Sequence, residues 1–242
     1  MIIDRFYRDF SSNKRWVSYR VKVETTDLYI RSKKNFSEFI KKRVVKLRQD
    51  IEGEIKRNPK FLTALSPIQP NHKQIPMVVK LMYDASQKAK VGPMASVAGA
   101  IAHMIGEEIR GKSPEVIVEN GGDIYLCVRE EVKISIYAGD SPFSGKIGIK
   151  IDPSMSPLGV CTSSATVGHS LSLGRADSFT VVSKNTSLAD AVATGGANRI
   201  INKNDIEKAI EYALAIDGVL GAVAIYKDVI GAKGNIELCE IK

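Results

Sequence analysis

One stretch limits the fold of this chain more than any other. Residues 159–198, GVCTSSATVGHSLSLGRADSFTVVSKNTSLADAVATGGAN, are crowded with small and hydroxyl side chains, with almost no large aliphatic bulk before Phe179. A segment built only to fill a core would not have this composition. Small residues let the backbone approach a partner closely, and hydroxyls offer that partner hydrogen bonds. The stretch predicts the wall of a polar ligand site, suited to phosphate together with a cation.

Around it, short apolar runs alternate and are separated by turn signals. Residues 16–24 place Val17, Tyr19, Val21 and Val23 on one strand face, and residues 28–30 return as the second strand of a hairpin. Phe36, Phe39, Ile40, Val44, Leu47, Ile51 and Ile55 recur at helical spacing, with Asn35 or Ser37 as the cap and Asn58-Pro59 as the stop. Residues 61–76 carry three prolines and predict an ordered loop. Helices follow over 76–88 and 93–110, the second with a small-residue stripe of Ala95, Gly99, Ala102 and Gly106. Strands are expected at 115–119, 124–128, 133–137, 147–151, 178–183 and 219–226. A turn at 228–231 and a last strand at 234–239 close the chain. Two more helices span 187–197, capped by Thr186 or Ser187, and 205–215, capped by Asn204. Strands in hairpin-like clusters and helices in pairs predict an α+β fold with a mixed or antiparallel sheet. We expect residues 1–242 to form one domain, with room for two lobes and a site between them.

Composition narrows the function classes. With 44% hydrophobic and 26% charged residues, the chain is neither disordered nor a membrane protein by class. No apolar run reaches the roughly 18 residues of a transmembrane helix. Charges in MIIDRFYRDF oppose a signal peptide, so the expected location is cytoplasmic. The three cysteines are far apart and lack a CxxC, against a disulfide framework. The net charge of +8 is concentrated in the first third, but no aromatics interleave with the basic residues, so nucleic acid is not the expected partner.

Three pieces could carry chemistry. Asp190 and Thr194, four apart on a helix, share a face and offer hard oxygen ligands to Mg²⁺ or Ca²⁺; the bland reading is a surface Asp bonded to a neighbouring Thr. Thr162, Ser163 and Ser164, followed by His169, suit a phosphate or a flavin edge, with His169 as acid or base; the bland reading is a serine-rich turn. Cys161 beside them is either a buried apolar residue or a reactive thiol. Asn120, Gly121, Gly122 and Asp123 form a strong turn signal whose glycines admit a ligand against the backbone. Gly92, Pro93, Met94 and Ala95 open a helix whose free N–H groups suit an anion.

Together, VGPMASVAGAIA (91–102), ENGGDIYL (119–126), GVCTSSATVGHSLSLGRAD (159–177) and LADAVATGGAN (188–198) resemble an uncharacterised prokaryotic family with many archaeal members. That family is regarded as a distant relative of ApbE, the FAD:protein FMN transferases. ApbE proteins pair a Gly-Gly-Asp turn, a Thr-Ser-Gly loop, a following His and an Ala-Asp-Ala-x-Ala-Thr helix whose Asp and Thr hold Mg²⁺ beside the FAD pyrophosphate. The resemblance implies the metal role for Asp190 and Thr194, the turn for Gly121, Gly122 and Asp123, the loop for Thr162, Ser163 and Ser164, and the histidine for His169. It implies Mg²⁺ and FAD or FMN as cofactors. The chain departs from the pattern where His169 opens Ser-Leu-Ser-Leu-Gly instead of an ApbE His-x-x-Asp-Pro-x-x-Gly run, and where Val97-Ala98-Gly99 lacks the ApbE lysine.

Three functions follow. The first is an ApbE-like cytoplasmic enzyme, a transferase, taking a small phosphate-bearing cofactor or nucleotide through a divalent cation. The second is sulfur handling in sulfide assimilation through Cys161, an association the family carries. The third is a non-catalytic binding or assembly module, its small residues forming the seam of a homo-oligomer.

Overall fold

The computed structural model describes residues 15–165 and 174–241. An eight-stranded sheet in the order β1-β2-β3-β4-β7-β8-β9-β10 is antiparallel at every pairing. Its strands are β1 (Val17–Val23), β2 (Thr26–Ser32), β3 (Val116–Asn120), β4 (Asp123–Cys127), β7 (Leu158–Ser163), β8 (Ser178–Ser183), β9 (Val219–Tyr226) and β10 (Val229–Gly234). A second sheet pairs β5 (Val132–Ser135), β6 (Ile147–Ile151) and β11 (Glu237–Glu240) in the order β11-β6-β5. The helices are α1 (Ser37–Arg57), α2 (Lys60–Thr63), α3 (Met77–Ala89), α4 (Val97–Arg110), α5 (Thr186–Ala197) and α6 (Ile206–Leu214). The fold is α+β.

The period-two alternation of the central strands sorts their side chains between two faces. Val118, Tyr125, Phe179 and Val181 turn toward the helices. Ile117, Leu126, Val182, Val223 and Ile225 turn to the opposite side, where they pack with Ile149 and Ile151 of the small sheet. The result is a layer of helices, the large sheet, and the small sheet behind it. α1 buries Ile40, Val44, Leu47 and Ile51 on one stripe, each contributing roughly 1.5–3 kcal/mol relative to exposure.

Several boundaries differ from the sequence expectation, for local reasons. The helix expected over 93–110 begins as a 3₁₀ turn at Pro93–Ser96 before α4. α5 is capped one residue earlier than expected, by Asn185, whose side chain accepts from the Leu188 amide at 3.0 Å. Asn204, the expected cap of the next helix, lies inside a 3₁₀ turn that Asn202 opens in a capping box with Asp205, and Asp205 precedes α6 without a side-chain cap. The loop expected over 61–76 contains most of the short α2. At the C-terminus the turn falls at Lys227-Asp228, so 229–234 return as β10 and β11 is a separate strand. Lys227 takes the left-handed conformation (φ 53°) in this turn.

Candidate functional site

α5 is composed of small residues because it lies buried between β7, β8 and α4. Gly99 shows how close the approach is. A Cβ there would stand 2.6 Å from the Thr186 carbonyl oxygen and 2.7 Å from Asp190 Cβ. The contact brings Asp190 onto the first turn of α4, where its Oδ2 accepts from the Gly99 amide at 2.8 Å and the Ala98 amide also donates to the carboxylate. Ser96, the residue preceding α4, makes no side-chain cap; its hydroxyl instead donates to the Pro93 carbonyl at 3.0 Å. Asp190 therefore caps α4 from another helix, and its carboxyl group occupies the place that an anion would take at that N-terminus.

One turn along α5, the Thr194 hydroxyl lies 3.4 Å from the Ala95 carbonyl oxygen. On the other flank, Asp123 of β4 stands opposite Cys161 of β7 in the sheet register. Burial, and then the neighbouring charge of Asp123, push the Asp190 carboxyl well above the usual carboxylate range, against the lowering effect of the Gly99 and Ala98 amides. Cys161 is completely buried, and its thiol donates to the Thr186 carbonyl at 3.3 Å. Burial, followed by the charges of Asp123 and Asp190, pushes this thiol well above its ordinary value, so it is held neutral. The Thr186 hydroxyl is buried in the same place and finds no hydrogen-bond partner among the described residues.

The donor set at this corner fits a hard divalent cation by its chemistry. It offers a carboxylate at Asp190, a hydroxyl at Thr194 and a main-chain carbonyl at Ala95, all oxygen. The buried carboxylate, raised by desolvation and by Asp123, is the electrostatic setting a cation would relieve. Among the described residues no three His, Cys, Asp or Glu side chains converge on a metal position, so a cation here would use the hydroxyl and the carbonyl.

The Asn120–Asp123 turn closes the β3–β4 hairpin with Gly121 at φ 70° and Gly122 at φ 106°, both conformations that suit glycine. Its Asn120 amide donates to the Ala98 carbonyl at 3.1 Å, tying the turn to the first turn of α4. Thr162 and Ser163, expected in a loop, end β7, and the Thr162 hydroxyl bonds the Thr180 hydroxyl at 2.8 Å across to β8. Ser164 follows directly. Gly92 packs against the backbone of Ala64, and Pro93 is buried at the start of the 3₁₀ turn. His169 lies outside the described residues.

Sequence reasoning missed a cavity against the first turn of α4. It has a volume of about 260 Å³ between α1, the β1–β2 turn and α4. Its floor is Ile51, Ile55, Met94, Val97 and Ile101, and its rim carries Thr25, Thr26, Arg48, Glu52 and Asn120. In sequence the threonines belong to a hairpin turn and Arg48 is one charge among many on α1. No periodicity marks residues from several elements that meet only in the fold. Of the residues predicted to bind a ligand, Met94 and Asn120 line this cavity, while Asp190 meets the Ala98 and Gly99 amides and lies near Asp123, and Thr194 meets the Ala95 carbonyl.

Residues 8–234 match the family described as "AbpE bacteria". A UPF0280 protein of Methanocaldococcus jannaschii is 38% identical over 227 residues, covering 91% of this chain and 92% of its own length. A UPF0280 protein of Methanopyrus kandleri is 40% identical over 226 residues, covering 90% of each. Among solved structures, a flavin transferase ApbE from Vibrio cholerae superimposes with a TM-score of 0.57 at 12% identity, over 90% of this chain and 97% of that one. The ApbE protein of Thermotoga maritima gives 0.55 at 12% identity, over 89% and 96%. These two likenesses concern the fold. No helix among the described residues is long and apolar enough to cross a membrane.

Proposed function

The chain belongs to the "AbpE bacteria" family, with archaeal UPF0280 proteins among its relatives, and on that premise we propose that it binds a phosphate-bearing cofactor or nucleotide, a flavin in particular, together with a divalent cation, and acts as a transferase. The observation that carries the reading is the set of oxygens that Asp190, Thr194 and the Ala95 carbonyl present at the start of α4, whose first turn also lines a cavity.

Asp190 and Thr194, with the Ala95 carbonyl, would hold the cation. Bound there, Mg²⁺ would offset phosphate charge and polarise the phosphoryl oxygens. The chain's own contributions are orientation and exclusion of water. Asp190 is fixed by the Gly99 and Ala98 amides. Ile51, Met94, Val97 and Ile101 give a planar ring an apolar bed. The Asn120–Asp123 turn brings backbone close to the ligand, and Thr162, Ser163 and Ser164 supply hydroxyls at the end of β7. His169 is proposed as the acid/base that follows them. Support for the flavin comes from the fold shared with proteins named flavin transferases.

The sulfur reading requires a thiolate at Cys161, and burial beside two carboxylates opposes one. Titration calorimetry with FAD, FMN and ADP, in Mg²⁺ and again in EDTA, tests the proposal. The expected outcome is binding of at least one of them, tighter in Mg²⁺. Binding of none, or equal binding in EDTA by those that bind, would sink it.

A further inference from the structure

We infer that Arg48, at the rim of the cavity between α1 and α4, is the residue that recognises an oxyanion of the bound ligand independently of any divalent cation, which makes a phosphate monoester on a planar ring the preferred class of ligand. The inference rests on the proposed function for the identity of the ring and goes beyond it in assigning a second anion position.

Arg20, Arg43 and Arg48 are partnered in two different ways. Arg20 grips Asp27 through two bonds of 2.7 Å, and Arg43 grips Glu108 at 2.7 and 2.6 Å. Each guanidinium fork is already filled by a carboxylate. Arg48 is held differently. One of its terminal nitrogens donates to the hydroxyls of Thr25 and Thr26 at 3.1 and 3.2 Å. Its carboxylate contact is a single long one, 3.3 Å to Glu52, whose side chain is 52% exposed. An exposed i,i+4 pair of that length is worth little and is easily exchanged. The two hydroxyls leave the charge uncompensated while fixing the side chain, which is only 22% exposed. A pre-oriented guanidinium with a replaceable partner is the arrangement that takes carboxylate or phosphate oxygens.

The cavity supplies the rest of the selection. Below Arg48 the wall is aliphatic, from Ile51, Ile55, Met94, Val97 and Ile101, and a volume of about 260 Å³ matches a ring rather than a whole dinucleotide. A ligand whose ring lies on that floor would carry its charged group at the open rim, partly solvated, so it would not suffer the full cost of desolvation. Glu52, on the same rim, is the anion that such a ligand would displace.

The test is flavin binding followed by quenching of flavin fluorescence in EDTA, with FMN and riboflavin as the paired probes. The wild type is expected to bind FMN at least tenfold more tightly than riboflavin. Arg48→Gln is expected to erase that preference while leaving riboflavin within about twofold, and Arg48→Lys to restore part of it. Glu52→Gln, which removes the competing carboxylate, is expected to tighten FMN several-fold, an effect of opposite sign that misfolding cannot imitate. Unchanged FMN affinity in Arg48→Gln, weaker FMN binding in Glu52→Gln, or a wild type that binds neither flavin in EDTA would overturn the assignment. In the last case FAD binding in Mg²⁺ would still uphold the cation reading. Conversely, Arg48-dependent FMN binding alongside FAD binding that ignores Mg²⁺ would uphold Arg48 and remove the cation.

Discussion

The carboxylate of Asp190 accepts the Gly99 amide at 2.8 Å across 91 positions of sequence, so one buried helix caps the N-terminus of another. This bond makes Asp190 a structural residue as well as a proposed ligand residue, and the two roles separate by substitution. Asp190→Asn keeps an acceptor oxygen for the amide and is expected to melt close to the wild type. Asp190→Ala leaves buried amides without a partner, at a cost of about 1–3 kcal/mol. Thermal melting of both variants checks this. Equal melting of the alanine variant and the wild type would remove the capping role.

Gly99→Ala tests the closeness of the two helices. The added Cβ would meet the Thr186 carbonyl oxygen at 2.6 Å and Asp190 Cβ at 2.7 Å, and both neighbours are anchored. The helices must separate, at about 1–3 kcal/mol. Urea denaturation should show the loss as a lower midpoint with an unchanged slope.

The cysteines should differ in reactivity. Cys161 is fully buried and its thiol is held neutral, while Cys127 and Cys239 are half-buried. Burial also raises the Cys127 thiol. Alkylation at about pH 8, followed by peptide mass spectrometry, is expected to label Cys239 first, Cys127 more slowly, and Cys161 only after unfolding. Early labelling of Cys161 would revive a role for it as nucleophile.

Glu115 gives a pH dependence of known sign. Burial raises its carboxyl, but Arg15, the Arg129 amide and Lys33 outweigh burial and hold it down at about 2. A folded pKa below the unfolded one adds stability that is complete above the unfolded value and is lost as the pH falls toward 2. Glu115→Gln should therefore flatten the fall in melting temperature between about pH 5 and pH 2. An acid limb as steep as that of the wild type would contradict this account.

A further buried carboxylate, Glu54, accepts from the Tyr83 hydroxyl at 2.6 Å and bonds His72 at 2.6 Å, joining α1 to α3 and to the loop before it. Tyr83→Phe removes one donor from a charge with no solvent to replace it. The expected loss is about 1–3 kcal/mol by denaturation, larger than a surface Tyr→Phe change gives.

Much of this architecture was legible in the sequence because it depends on local periodicity. The expected apolar positions 40, 44, 47 and 51 of α1 are buried, joined by Glu54, which periodicity did not mark, and the glycine pair at 121–122 formed its two-residue turn. Asp190 and Thr194 were recognisable as a pair because i and i+4 share a helical face. Their actual contacts, the Gly99 amide and the Ala95 carbonyl, depend on how two helices cross, and spacing along one helix carries no sign of that. The small-residue stripe of α4 pointed to close packing without naming its partner. Arg48 stayed hidden for a similar reason. Its proposed role depends on hydroxyls of the β1–β2 hairpin, and in sequence it is one more charge in a charged helix.

The central claim is that the corner of Asp190, Thr194 and Ala95 holds a cation that carries ligand phosphate. Calorimetric titration of FAD into wild type and into Asp190→Asn, with and without Mg²⁺, measures it most directly. The account predicts that Mg²⁺ tightens FAD binding to the wild type at least tenfold and leaves the correctly folded Asp190→Asn unaffected. An equal Mg²⁺ effect on both proteins would contradict it.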